Sequence, residues 1–367
     1  DNLKDGFFYW LKHNKTATIS IGIVMLYFVT ALLCYVFAVD SSKEVNTQIP
    51  ELALHKPFTR MKFLSIQSKE NQQTKGFVST ILFGKEEQIG LIPINSYILN
   101  KDNLEIEKYM GTNQFTGVQL PVEHIKLAFS KELLNKKYSI IERCFPFGTD
   151  AFGRCIFSRI LVGSRVSLMV GISAVAISLT IGILIGLLGG FFGGKIDALL
   201  MLFVNTIWSI PTLLLVFAIV LALGRGLHIL YLAIGLTLWV DVARIVRGQV
   251  LSTKQNVYVD AAKSLGFSNS RIMFKHILPN IIGPILVIAS GNFATAIILE
   301  AGLSYLGFGV QSPDPSWGNM LNENYGYALS GFYYLAVIPA MAIVILVLSI
   351  NILGNTLRDY FDVKIDK

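Results

Sequence analysis

Charge is scarce in this chain of 367 residues. Asp, Glu, Lys and Arg make up 15% of it, against 53% hydrophobic residues, 24 Phe and a mean hydropathy of +0.57. Water-soluble domains carry about 25% charged residues, so the composition excludes an ordinary soluble protein and describes a polytopic membrane protein. Acids are the scarcer sign, giving a net charge of +7. Cysteine is scarce too, with three in all. Cys34 lies in an apolar run and cannot reach the others, and the spacing of Cys144 and Cys155 does not by itself establish that they meet. No stretch gathers His, Cys and carboxylates into a ligand set for a divalent transition metal. His55 and His124 are isolated and read as solvated surface residues.

Uncharged length is abundant. Five runs approach or exceed the roughly 20 apolar residues that cross a bilayer: Thr16 to Val39, Val166 to Gly194, Ala198 to Gly224, His276 to Leu299 and Asn324 to Leu357. A sixth, Gly226 to Val240, becomes long enough when extended through Asp241, placed at the membrane edge. The expectation is an all-α membrane protein with six transmembrane helices. Their centres carry almost no charge, and the pattern predicts no broken helices there.

Short loops set the orientation. Arg244, Arg247, Lys254, Lys263, Arg271 and Lys275 face a single acid, Asp260, between residues 244 and 276, which marks that segment as cytoplasmic. Six spans then put both termini in the cytoplasm, in agreement with Lys4, Lys12 and Lys15. Loop bias thus accounts for the net positive charge without a nucleic-acid partner. The first run, 24 residues long and followed by Asp40, reads as a retained anchor and not a cleaved signal.

The expected organisation is a cytoplasmic segment at 1–15, a first span at 16–39, an extracytoplasmic insert at 40–153, a core at 154–357 containing a cytoplasmic hairpin at 253–280, and a tail at 358–367. An insert of that length folds. The β-branched runs at 76–83 and 88–94 predict strands in a small mixed α/β domain.

The stretch "GGFFGGKI" at 189–196 matches the start of a phosphate-binding loop, with Gly189, Gly194 and Lys195 in place. Ile196 offers no hydroxyl to a metal, and the flanks are apolar spans instead of a strand and a helix. The glycines are read as a tight turn between two spans, with Lys195 and Asp197 at headgroup level.

The informative polar stretch is "DAAKSLGFSNSRIMFKHILPN", 260–280. An Ala-rich helix should end at Gly266, the residue type that adopts a left-handed cap, and Ser268 should cap a second helix stopping at Pro279. Ala261 and Ala262 would allow another surface to approach, and Phe267 and Phe274 would fill a pocket.

At these residues the chain resembles the membrane-spanning subunits of ATP-binding-cassette importers, whose cytoplasmic hairpin docks the ATPase. Asp260, Ala261, Ala262, Gly266, Ile272, Leu278 and Pro279 match that signature, with Asp260 in place of the usual Glu. Two further stretches are similar to the dipeptide, oligopeptide and nickel permeases. One matches at Gly148, Thr149, Asp150, Gly153 and Arg154. There Cys155 stands where the group commonly has Asp, removing an i,i+4 partner from Arg159. The other matches at Glu300, Leu303, Ser304, Leu306, Gly307, Gly309, Pro313, Pro315, Ser316, Trp317 and Gly318.

The resemblance implies a multi-pass subunit of the bacterial cytoplasmic membrane, paired with a homologous permease chain, two ATPase subunits and an extracytoplasmic binding protein. ATP and magnesium would be held by the ATPase chains, with no cofactor here. Di- or oligopeptides are the implied cargo, with nickel or another small solute the alternative; an ion-coupled secondary transporter is the rival class. Glu300 is a candidate for the pathway or a subunit contact. Gly307, Gly309, Pro313 and Pro315 forbid a continuing helix, so the segment ahead of Trp317 should form a short external helix or re-entrant scoop, with Trp317 anchored at the interface.

Overall fold

The computed structural model describes residues 10–11, 13–66, 77–84, 90–99, 103–111, 123–128 and 138–365. Five helices are long and apolar enough to cross a membrane, or six when one bent pair counts as a single span. Hydrocarbon offers the backbone no hydrogen bonds, so these charge-free runs close their own as helices.

The chain divides into two compact units. The second comprises Val29–Val166 and Ser312–Ala340 and holds the only sheet found among the described residues. Strands β1 (Thr59–Ile66), β2 (Leu91–Leu99), β3 (Asn103–Lys108), β4 (Glu123–Ala128) and β5 (Tyr138–Phe145) lie in the order β4-β3-β2-β1-β5, all neighbours antiparallel. In β1, Phe63 and Leu64 are both buried although successive side chains leave opposite faces of a strand, so the sheet is covered on both sides.

In the run 76–83, expected as a strand, residues Phe77–Phe83 are helical and pack on the short helix Cys34–Phe37. The reason lies in the pattern: apolar residues at 77, 78, 81 and 82 flank Ser79 and Thr80, which fits a helical period better than strict alternation. Of the second expected strand, 88–94, residues 88–89 lie outside the described residues, as do Lys4 and Lys12, and residues 91–94 belong to β2. The histidine expectation also changes. His55 is half-buried, its Nε2 2.9 Å from the Tyr109 hydroxyl and its Nδ1 3.3 Å from the Ala53 carbonyl, and burial pushes its pKa below the ordinary value. Of His124 only the backbone, in β4, is described. All three cysteines are free thiols.

The first unit comprises Asp1–Phe28, Ser167–Gln311 and Met341–Lys367. The helix at Lys15–Leu32 breaks at Leu33 and resumes at Cys34–Phe37, so helical structure stops two residues short of Val39, the end expected for the first span. A 37-residue helix, Ile156–Phe192, is followed by Gly194–Trp208, Thr212–Leu223, Leu227–Thr253 and Ile282–Tyr305. The last helix, Tyr334–Ile365, begins ten residues later than the uncharged run that predicted it, because Asn324 belongs to a separate helix, Trp317–Leu329.

Close packing explains the glycines of 182–190. A Cβ on Gly182, Gly186 or Gly190 would come 2.5–2.8 Å from Val242, Val246 or Val250 on helix Leu227–Thr253, and Gly235 of that helix meets Ile177 in return. Small residues four apart let the two backbones approach this closely. The reading of "GGFFGGKI" is therefore revised: Gly189 and Gly190 are helical, and only Gly193 and Gly194, with φ of 68° and 55°, make the turn. Asp197 pairs with Arg247 through two contacts of 2.5 and 2.6 Å.

The run expected as one span at 198–224 is bent by 87° at Ser209–Pro211. Pro211 has no N–H to continue the ladder, and the Ser209 hydroxyl donates to the Thr206 carbonyl at the break. This corrects the expectation of unbroken spans.

Candidate functional site

The cytoplasmic hairpin predicted at 253–280 is built from a short helix, Val257–Ser264, and a second helical segment from Asn269. Gly266 sits at φ +74°, receiving the reversal that ends the first helix: its N–H donates to the Lys263 carbonyl and that of Phe267 to the Ala262 carbonyl. The Ser268 hydroxyl accepts the Arg271 N–H and caps the second segment. The helix expected to stop at Pro279 runs on. Residues Ile272–Ile277 widen to a π-helix, in which the Leu278 N–H reaches the Met273 carbonyl, and Leu278–Ile281 tighten to 3-10 geometry. That change of pitch absorbs the hydrogen bond that Pro279 cannot donate.

One face of the hairpin is anchored. Val259, Ala262, Ile272, Met273, Ile277 and Ile281 pack with Leu187, Phe191, Val242, Val246 and Val250 into one buried cluster. Ala262 and Ile272 are thus interior anchors and not contact residues, which corrects the pairing of Ala261 with Ala262 as one open surface. Leu278 is partly buried against the same cluster. Phe267 is also used internally, stacked on His276 and capped by the Arg271 guanidinium at 4.0 Å. The opposite face is open. Asp260, Ala261, Gly266 and Pro279 are exposed there, with Leu265 72% exposed, Val257 85% and Phe274 47%. Asp260 holds Lys263 at 3.0 Å on this surface.

The motif at 148–154 does something different. Asp150, 1% exposed, accepts the Phe152 and Arg154 N–H groups on one oxygen and the Arg154 Nε (2.7 Å) and Arg159 Nη1 (3.1 Å) on the other. Arg154 also reaches Glu323 at 2.5 Å and Asn46 at 3.2 Å, and Arg159 pairs with Glu323 at 3.1 Å. Two acids and two guanidiniums therefore neutralise one another in the interior. Cys155 leaves Arg159 without an acid one turn away, and Asp150 and Glu323 supply the negative charge instead. Glu323 escaped the sequence reading, although it is the one acidic or basic residue between Pro315 and Leu357, a signal by itself in an apolar stretch.

Thr149 receives the His55 N–H and donates its hydroxyl to the Leu52 carbonyl. Gly148 and Gly153 hold the bend; a Cβ on Gly153 would come 1.8 Å from the Ile49 carbonyl. Trp317, expected at an interface, is fully buried. Its indole lies over Gly163 and donates to the Ile160 carbonyl at 3.0 Å. The segment ahead of Trp317, expected as a short external helix or re-entrant scoop, is turns and bends at 306–316, and a helix begins only at Trp317 (Trp317–Leu329), capped by Ser316.

Glu300 is also fully buried, not on an open wall. It accepts the Ser304 hydroxyl at 2.8 Å and the Ser167 hydroxyl at 3.2 Å, while the Ser304 oxygen accepts the Val310 N–H. The helix ends at Tyr305, with Gly307 at φ +82°, and Gly309 lies against Ser304. Glu300 and Ser304 thus tie the returning loop to the helix it leaves.

Residues 179–367 match the family described as binding-protein-dependent transport system inner membrane components. The chain is 42% identical over 221 residues to the oligopeptide transport system permease protein OppC of Bacillus subtilis (strain 168), spanning 60% of this chain and 72% of that protein. It is 40% identical over 219 residues to the dipeptide transport system permease protein DppC of the same organism, spanning 60% and 68%. To the glutathione transport system permease protein GsiD of Escherichia coli O6:K15:H31 it is 42% identical over 219 residues, spanning 60% and 72%.

Proposed function

This chain belongs to the family of binding-protein-dependent transport system inner membrane components, and from that premise we propose that it is a membrane-spanning subunit of an ATP-binding-cassette importer of di- or oligopeptides. It pairs with a second, homologous permease chain to line the translocation pathway. Two ATPase subunits dock on the hairpin, hold ATP and magnesium and perform the hydrolysis, so this chain has no catalytic site. An extracytoplasmic binding protein delivers the peptide. The chain is a multi-pass protein of the bacterial cytoplasmic membrane, both termini are cytoplasmic, and the sheet-bearing region between the first two spans lies outside.

The observation that carries the docking role is the two-faced hairpin. Its inner face is packed into the buried cluster, while Val257, Asp260, Ala261 and Leu265 are left open in a fixed geometry. Apolar groups held this rigidly at a surface fit a protein partner. Movement of the ATPases would be passed through this surface to the helices beneath it and swing the pathway between inward and outward openings. Glu300, Ser304, Gly307, Gly309 and Trp317, with the 148–154 motif, keep the fold of the pathway-bearing helices. The test is ATP-driven peptide uptake by the complete importer in proteoliposomes. Uptake that requires all chains, with no hydrolysis by this chain alone, is the expected result; hydrolysis by the isolated chain overturns it.

A further inference from the structure

A cavity of about 440 Å³ opens among the helices Leu227–Thr253, Ile282–Tyr305 and Tyr334–Ile365. Its polar lining comes from Gln249, Ser290, Asn351, Asn355 and Arg358, with Gly291 in its wall. Asn351, Asn355 and Arg358 follow one another at i, i+4 and i+7, which places them on one helical face, and all three are exposed. The side-chain amides of Asn351 and Asn355 on an open face of a spanning helix are costly against hydrocarbon, and they gain where they meet water or a polar solute.

The composition of the lining selects the solute. Its volume falls in the range of about 300–1,000 Å³ typical of small-ligand sites. Three side-chain amides each offer a donor and an acceptor, as a peptide group does, and they impose no side-chain preference. Arg358 is the one ionised group among the lining residues, and its planar fork matches a carboxylate. The lining supplies no carboxylate, His or Cys, so a divalent metal finds no ligand in it.

We propose that this cavity receives the carboxylate end of a short peptide on its way through the membrane, Arg358 holding the carboxylate and Gln249, Asn351 and Asn355 bonding to the peptide groups. The proposal rests on the reading of the chain as a peptide permease and adds a place and a chemical handle to it.

The test uses the complete importer in proteoliposomes with a tripeptide bearing either a free or an amidated carboxyl terminus. The binding protein's own preference is common to all variants and cancels when their uptake ratios are compared. Arg358→Gln is expected to lower the free-to-amidated ratio about tenfold, the worth of a hydrogen bond to a charged group, and Arg358→Lys to retain part of it. Gly291→Leu should slow uptake of both peptides while the complex still assembles, because a Cβ at Gly291 meets nothing within 4 Å and the added side chain fills the cavity, not the packing. A ratio unchanged by Arg358→Gln overturns the proposal. So does a phospholipid that copurifies with the wild type and is lost from Gly291→Leu while uptake stays the same. Failure of the wild-type complex to take up either peptide overturns the peptide reading along with it.

Discussion

Around Asp150 the motif side chains turn inward, whereas along the hairpin at 257–266 they turn outward. In the first region every charge is answered within the chain: Asp150 and Glu323 against Arg154 and Arg159, Thr149 between His55 and Leu52. In the second, the anchoring residues Val259 and Ala262 are buried but the faces of Val257, Asp260, Ala261 and Leu265 are left to the solvent. Both regions match their family motifs well, yet one sustains the fold and the other offers a surface. Exposure separates the two uses, and motif strength does not.

Substitutions should therefore divide between stability and coupling. The largest loss of stability is expected from Asp150→Ala, which leaves two buried guanidiniums facing Glu323 alone; removing one partner of a buried pair costs about 3–5 kcal/mol. Thermal unfolding in detergent checks this, and a change below about 1 kcal/mol would mean that water already reaches the cluster. Trp317→Ala comes next, at about 3 kcal/mol, since it empties the space over Gly163 and removes the bond to Ile160. Its transport defect should follow its loss of folded protein and not exceed it.

Gly266→Val falls on the other side of the comparison. It strains the left-handed position by about 1–3 kcal/mol in a segment with few neighbours. Membrane insertion should be normal, and ATPase binding or peptide-linked hydrolysis lost. If stability fell and coupling survived, the contrast drawn above would be wrong.

A smaller effect follows from His55. Its folded-state pKa is depressed by burial, so the neutral form is favoured in the fold. That contribution is present above the unfolded value of about 6.5 and is lost as pH falls below it toward the folded value. Stability should decline as pH falls below about 6.5, with a shallower slope in His55→Gln. The smallest effect belongs to Lys195→Ala, which should leave ATP hydrolysis by the complex unchanged, because the turn at Gly193 and Gly194 follows a helix and not a strand.

Much of this architecture was legible in the residues. Charge-free runs located the spans because hydrocarbon excludes charge, and Gly266 and Ser268 marked the hairpin because caps are local chemistry. The bend at Ser209–Pro211 was not legible: hydropathy sums over a run and is blind to its direction. Residues 77–83 carry a strand's composition on a helix's spacing, and the spacing prevails, with the helix packed on Cys34–Phe37. The pairing of Glu323 with Arg154 spans 169 positions, a distance over which no local rule operates. The inward turn of Ala262, Trp317 and Glu300 depends on what lies opposite each one, which a single sequence does not state.

The glycine contacts at 182, 186 and 190 also have a mechanical meaning. Long side chains between two helices act as springs, since rotamers can shift and absorb displacement. Where Gly meets Val backbone to side chain, little of that slack exists, and the hairpin's buried residues pack against the ends of these same two helices. A push on the hairpin is therefore received by a stiff pair and carried along its length with little loss. The proline break at 211 differs from this pair in that its backbone ladder is already open. Adding a side chain at Gly186 would force these two helices apart midway along their contact.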